Sequence, residues 1–493
     1  MLLTLVILPT AVTGSGVALP HIGRDTHAPL AALQWVVHGY NLTFASFMLA
    51  CGSLADIFGR RRMFLTGGIL FALASLVSAV VSDIYVLDLA RAAAGIGAAA
   101  LLTSGSSLLA ATFDGAARTR AFAAVGIVTG AGLALGAMAA GVLADAWGWR
   151  SFFGAHAVVM ALVLLAVPFM RESRDSSAAR IDWAGTGTLV AGLFLLMLGV
   201  VEGPHWGWSS APVLGLLAGA ALLMAVFVVV ERRQRQPMLD LALLRNPRFM
   251  ALCLVPVVAT FAFVILLPLL PNYLLIVNQA SSRTAGATML LMTLPILPTP
   301  ILAGKLIRWG LSLRAVIAAS LTLMTLGVAW LALILHPGVT AAELAGPLIT
   351  LGVGLGLNFG LVDGAVLTVV PPETTGTAAG FLNTLRLGSE AIVIAAAGSA
   401  LVNLFQGKLS ERAGHIPGDL GASDTLADSV NAGDLTGALA AVPPGTARSA
   451  LFDIVAQDFT ASWQILLWGS AAVCAVLSVV VVVMLAERRR TSS

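Results

Sequence analysis

Three charged side chains stand inside apolar stretches late in the chain: Asp363 in NFGLVDGAVLTVV, and Arg386 and Glu390 in FLNTLRLGSE. An ionised group in lipid is costly, so such residues face a cavity or a partner. Asp363 lies eight residues before Pro371, about 12 Å along a helix. Arg386 falls at similar depth if the next helix begins near Thr377. Glu390 follows four residues later on the same face as Arg386. If the two helices face each other, the three side chains form one polar cluster. Two chemistries fit it. In the first, a buried salt bridge fixes helix packing, each charge offsetting its partner's desolvation. In the second, one arginine cannot neutralise two carboxylates, and the surplus one exchanges a proton. Glu390 is then the proton carrier, with Asp363 clamped to Arg386.

The elements that hold these residues follow from composition. The chain has 493 residues, 58% hydrophobic and 10% charged, with a mean hydropathy of +0.95. So little charge cannot cover a soluble surface. Apolar runs of about 20 residues, each enough to span a bilayer as a helix, recur from end to end. They read as fourteen spans: 2–20, 34–56, 63–81, 85–110, 120–143, 152–170, 183–202, 211–230, 250–277, 285–306, 313–335, 344–370, 377–402 and 463–486. The expectation is an all-α polytopic membrane protein. The first run has no basic leader and reads as a retained span, not a signal peptide.

Charge sets the orientation. Nineteen Lys and Arg residues, from Arg60, Arg61 and Arg62 to Arg488, Arg489 and Arg490, fall on one set of loops. The short loops of the other set carry Arg24, Arg150 and Arg283. The basic side is expected to be cytoplasmic, with both termini there. One long loop, 403–462, is then external and reads either as short amphipathic helices or as a linker. WGWRSFF (147–153) and HWGW (205–208) lie at outer boundaries, where Trp favours the headgroup zone. Cys51, Cys253 and Cys474 sit in apolar segments without metal-ligand spacing. No HExxH, Walker A or GxSxG pattern appears, so enzyme chemistry, a metal and a cofactor are not expected. A nucleic-acid partner is not expected either.

Three further motifs bear on mechanism. GSLADIFGRRRMFL (52–65) joins spans two and three; Gly52 and Gly59 permit tight turning and close helix approach. Asp56 stands at a helix C-terminal end, which disfavours an anion unless another helix start or an arginine compensates. RAAAGIGAAAL (91–101) places Arg91 within span four, with Asp88 three residues earlier as a same-face partner. Span five carries Gly126, Gly130, Gly136 and Gly141, a seam of small residues suited to close helix packing.

The 52–65 stretch resembles the GxLxDxxGRRxxL signature of the major facilitator superfamily (MFS), and GKLIRWG (304–310) is a weaker echo in the second half. The resemblance implies that Asp56, supported by Arg60 and Arg61, meets the start of span thirteen near Thr377–Gly380 as an inner latch. Arg91 with Gly95 and Gly97 resembles the superfamily's RxxxGxG motif, linked to proton coupling. The span-five seam resembles the antiporter motif GxxxGPxxGG, although Ala137 replaces its proline and Ala140 one glycine. LQWVVHGYNL, WGWRSFF, IDWAGTGTLV, VEGPHWGW and FLNTLRLG resemble segments of the 14-helix drug:proton antiporter branch. That branch implies two six-helix bundles, 1–172 and 237–493, with an inserted helix pair in 173–236. It also implies alternating access to a site between the bundles. One departure stands out: PTAVTGSGVALPHI carries Ala11 where the branch usually has an acidic residue.

Cavity candidates are His38, Tyr40 and Asn41 on span two, Asn272 and Tyr273 on span nine, and Met289 and Met292 on span ten. Each also suits ordinary packing. The resemblance implies a proton-coupled exporter of small amphipathic, drug-like compounds in a bacterial inner membrane, monomeric and powered by the proton gradient. The alternatives are an exporter of a lipid, natural product or metabolite, neutral or anionic, with altered or no proton coupling, and a non-transporting receptor or scaffold.

Overall fold

The computed structural model describes residues 2–113, 115–170, 172–173, 182–234, 241–371, 374–411 and 446–486. Among the described residues there is no strand. The helices are α1 Leu2–Thr26, α2 Leu30–Phe58, α3 Arg60–Val80, α4 Ile84–Thr112, α5 Gly115–Trp147 and α6 Trp149–Ala166. Next come α7 Trp183–Trp206, α8 Ala211–Arg233, the short α9 Leu241–Leu244, α10 Pro247–Ala259, α11 Leu266–Ile276 and α12 Ser282–Thr293. The series ends with α13 Thr299–Arg308, α14 Leu313–Ile334, α15 Ala341–Asn358, α16 Leu361–Val366, α17 Thr375–Glu411 and α18 Thr446–Ala486. Thirteen stretches are long and apolar enough to cross a bilayer. The 33-residue α5, with apolar runs Arg120–Gly132 and Met138–Trp147, supplies the fourteenth. This is an all-α polytopic membrane protein.

Local chemistry explains most boundaries. Asp83, Ser210, Asn246, Ser281, Ser312 and Thr340 accept backbone N–H bonds at helix starts, satisfying donors the helix cannot. Thr340 and Glu343 close a reciprocal capping box. Gly59 and Gly310 end α2 and follow α13 at φ +106° and +98°, a backbone that disfavours side chains. A positive-φ glycine thus stands in both of the Arg-bearing loops that sequence likeness had paired, although one residue joins α2 to α3 and four join α13 to α14.

α1 to α6 pack on one another, chiefly as α2 with α4, α3 with α4 and α6, and α1 with α5. α10 to α18 form a second set around α14, α15 and α18, while α7 and α8 pair together and α7 leans on α2 and α17. The sets meet where α2 crosses α17 and where α5 meets α12, α13 and α16. Leu73, Val80, Leu89 and Leu165 are exposed on the outer surface, as a lipid-facing helix wall requires.

Three boundaries differ from the sequence expectation. The twelfth span is not one helix to residue 370: α15 ends at Asn358, and Gly360 at φ +75° starts α16. The thirteenth span does not stop at 402, since α17 continues through Lys408 to Glu411, and the last helix starts at Thr446, not 463. A helix can carry polar residues beyond the apolar layer, so hydropathy marks the membrane and not the helix end. Of the supposed 403–462 loop, residues 403–411 and 446–462 are helical, and 412–445 lie outside the described residues.

Candidate functional site

At the Arg60 end of the bundle, Asp56 closes α2 onto α17. Its oxygens accept from Gly376 N at 3.2 Å and Thr377 N at 3.0 Å. These are free donors at a helix start, where an anion is favoured. Arg60 holds the same carboxylate through Nε at 3.2 Å and Nη2 at 3.0 Å, and bonds Thr375 Oγ1 at 2.7 Å. Asp56 and Arg60 are both buried. Arg61 does not join this pair; its backbone N–H bonds Glu172 at 3.0 Å. Contact between α2 and α17 needs glycine: a Cβ on Gly52 would fall on the Gly376 carbonyl oxygen, and one on Gly380 would meet Leu49 Cα at 2.8 Å.

Deeper in α17, Arg386 Nη2 reaches both oxygens of Asp363, at 3.0 and 3.2 Å, and Nη1 donates to Asn383 Oδ1 at 3.0 Å. Asp363 and Arg386 do meet, although α16 ends at Val366 and residues 367–370 are not the continuous helix that the depth count from Pro371 assumed. Glu390 does not complete a three-membered cluster. It is half-buried and makes no ion pair within 4 Å among the described residues. Its neighbour Ser389 meets Thr260 Oγ1 at 3.2 Å. Thr260 opens a π-helical turn, Thr260–Val264, between α10 and α11. Such turns mark functional or strained places in helices. Sequence reading missed this turn, whose one signal is Pro256 four residues before Thr260. Asp363→Asn is expected to lower folded yield and thermal stability by about 3 kcal/mol, because it strands Arg386; a thermal unfolding series of the purified protein checks this.

Arg91 is buried within the first set. It does not pair with Asp88; among the described residues its partners are neutral. Nε donates to Val36 O at 3.2 Å, and Nη2 to Ala11 O at 3.3 Å and Ser15 Oγ at 3.2 Å. The guanidinium also lies over the Tyr40 and Phe153 rings, 4.5 and 5.3 Å from their centroids, where a ring face attracts a cation. Arg91 therefore reaches the turn of α1 that carries Ala11.

The glycines of α5 divide their work. Gly126 approaches the Phe359 carbonyl at the α15–α16 break, and Gly130 faces Ile296 in the second set. Gly136 abuts Thr13 and Thr10 of α1, while a Cβ on Gly141 would meet only Val17, at an ordinary 3.7 Å.

The sequence profile of the Major Facilitator Superfamily matches residues 1–394. The chain belongs to that superfamily. Superfamily relatives include the multidrug resistance protein Stp of Mycobacterium tuberculosis, 34% identical over 395 residues, covering 78% of this chain and 72% of Stp. The drug efflux pump JefA of the same organism is 31% identical over 447 residues, 84% of this chain and 82% of JefA. A probable actinorhodin transporter of Streptomyces coelicolor is 31% identical over 415 residues, 81% of this chain and 70% of that protein. The crystal structure of the human organic anion transporter MFSD10 (TETRAN) shares the fold, with a TM-score of 0.56 and 16% identity over 88% of this chain and 96% of that one.

Within this MFS fold, the cavity candidates separate. His38, Asn41 and Met289 are half-buried and Asn272 is exposed. Tyr40 is fully buried beneath Arg91, its hydroxyl without a hydrogen-bond partner among the described residues. Tyr273 is not a cavity residue: it is buried, bonds Thr460 at 2.9 Å and packs on Trp463 and Phe459. Met292 likewise belongs to the core, its carbonyl against Gly352. Of the tryptophans in the two aromatic motifs, Trp147, Trp206 and Trp208 are exposed, as headgroup anchors would be. Trp149 is buried and donates to Asp25 at 3.1 Å beside Arg150. These partners hold the Asp25 carboxyl below its usual range, so this clamp stays charged at neutral pH. Trp208 donates to Ser399 of α17 at 2.9 Å.

Proposed function

We propose that this protein is a proton-coupled exporter of amphipathic, drug-like compounds, working by alternating access between the α1–α6 and α10–α18 bundles. It is a carrier and not an enzyme, and it acts as a monomer. The excess of basic loops supports a cytoplasmic Arg60 end, with both termini on that side of a bacterial inner membrane. The Asp56 latch then closes the cytoplasmic side, and substrate leaves from the opposite side. The drug-efflux names of the Stp and JefA relatives support the substrate class.

One observation carries the coupling. Glu390 sits one turn from Arg386, whose charge Asp363 already meets at 3.0 Å. A carboxylate so placed is left to a proton when the bundle shields it and to water or cationic substrate when it does not. His38, Asn41 and Met289 are the cavity residues this reading retains, with Asn272 at the edge.

A second reading moves an anionic or neutral natural product. Arg91 favours it, being a buried cation that leans on the backbone of Ala11 where the branch has an acid. Proteoliposomes with an imposed pH gradient and a panel of cationic, neutral and anionic compounds separate the readings. Cation transport that follows the gradient supports the first, and anion transport the second. No gradient-dependent flux of any class contradicts both.

A further inference from the structure

His156, in α6, is buried with both ring nitrogens engaged. Nδ1 lies 2.7 Å from the Phe152 carbonyl oxygen, one turn earlier. Nε2 lies 3.0 Å from Thr10 Oγ1 of α1. Thr10 Oγ1 in turn lies 2.7 Å from the Ile7 carbonyl oxygen, which also faces the ring. Both ends of this chain of contacts are carbonyls, which only accept. Three full hydrogen bonds therefore need three hydrogens: on Nδ1, on Nε2 and on the hydroxyl. A neutral imidazole and a threonine hold two between them; an imidazolium and a threonine hold three. With a neutral ring, two hydrogens serve three contacts, so that one contact goes without or the hydroxyl hydrogen is shared between Nε2 and the Ile7 carbonyl oxygen.

We infer that His156 and Thr10 form a proton-binding site between α6 and α1, filled when the ring is the imidazolium. The packing around it is specific. The Phe152 ring stands edge-on 4.5 Å from the imidazole, and Phe71 of α3 stands at 6.4 Å. α5 contributes Ala140, which with Phe152 crowds the bare face of Gly14 on α1. Burial of the ring and the like charge of Arg91 on α4 oppose the imidazolium, and the Phe152 and Ile7 carbonyls favour it; His156 makes no ion pair among the described residues. Arg91 and His156 hold the same stretch of α1, one through Ala11 and Ser15, the other through Thr10. Loading the site thus completes the α1–α6 contact and changes the charge that faces Arg91. This site lies in the other bundle from Glu390 and stands whether or not Glu390 carries a proton.

The full chain contains 7 histidines. Histidine-labelled protein in micelles gives ring nitrogen and carbon signals, with those of His156 identified by their loss in His156→Gln. The expected result is passage from a neutral ring to an imidazolium within about pH 4 to 8. Thr10→Val removes an acceptor that the imidazolium needs. It should move the midpoint down by about one pH unit, a tenfold loss of proton affinity, the scale of one hydrogen bond to a charged group. Thr10→Ser should leave it in place. A ring that stays neutral throughout, or a midpoint indifferent to Thr10→Val, overturns the site. If Thr10→Val does not fold, the wild-type ring state still decides: a neutral ring at the acid end overturns it, an imidazolium sustains it. Transport does not enter this readout, so its failure and that of the export proposal are separable.

Discussion

Glu390→Gln is expected to abolish transport driven by a pH gradient, while substrate binding and folded yield stay near wild type. The substitution keeps the size and hydrogen-bonding reach of the side chain and removes only its capacity to exchange a proton. Glu390 makes no ion pair within 4 Å among the described residues, so no buried cation is stranded by the change. This separates it from Asp363, whose carboxylate takes two bonds from Arg386. The two substitutions therefore divide the alternatives that the sequence left open. A packing salt bridge makes Asp363→Asn costly and Glu390→Gln silent; a proton site makes Glu390→Gln silent for folding and fatal for coupling. Gradient-driven uptake by the Gln variant at the wild-type rate would sink the assignment.

Gly52→Val is the second large effect, and it acts on the latch instead of the proton. The added side chain lands on the Gly376 carbonyl oxygen, with its carbon at 2.9 Å and Gly380 Cα at 3.4 Å from the first new atom. All three are backbone atoms of α17, so no side chain can swing aside. α2 and α17 must separate, and Asp56 then loses the Gly376 and Thr377 N–H groups that neutralise it at the helix start. Opening the Arg60 end shifts the balance between the two access states. A shift of about 1.4 kcal/mol or more corresponds to at least a tenfold change in that equilibrium. Transport should fall by a similar factor. Spin labels at Arg62 and Pro371 should report a longer distance between α3 and the segment before α17. An unchanged distance with an unchanged rate contradicts a latch that works by backbone contact.

What the sequence made legible depended on how local the interaction was. Asp56 announced itself because an acid at a helix end, beside three arginines, needs a specific partner; its family likeness pointed to the start of α17, four residues at most from the observed donors. Asp363 and Arg386 could be matched by depth, the first counted back from Pro371 and the second on from a helix start near Thr377. The break at Gly360 lies beyond Asp363, but α16 also ends at Val366, so the pair forms without the unbroken helix on which the count was based. Glu390 could not be separated from Arg386 in this way: four-residue spacing puts two side chains on one face without saying that they touch. Arg91 shows the same limit more strongly. Its sequence neighbour Asp88 was the natural partner, yet its bonds go to Val36, Ala11 and Ser15, on helices remote in sequence. His156 was passed over because a single histidine in an apolar run carries no pattern; only the Thr10 contact, 146 residues away, gives it meaning. Tyr273 and Met292 failed as cavity residues for a related reason, since periodicity cannot tell which of two buried faces meets the other bundle.

The export proposal stands or falls on whether a proton and a substrate compete for Glu390. Purified protein in weakly buffered solution, titrated with a cationic substrate while free protons are followed, reads this directly. Wild type should release protons as substrate binds near neutral pH, and Glu390→Gln should bind the same substrate without release. Equal proton release by both, or binding by wild type with none, contradicts proton exchange at Glu390.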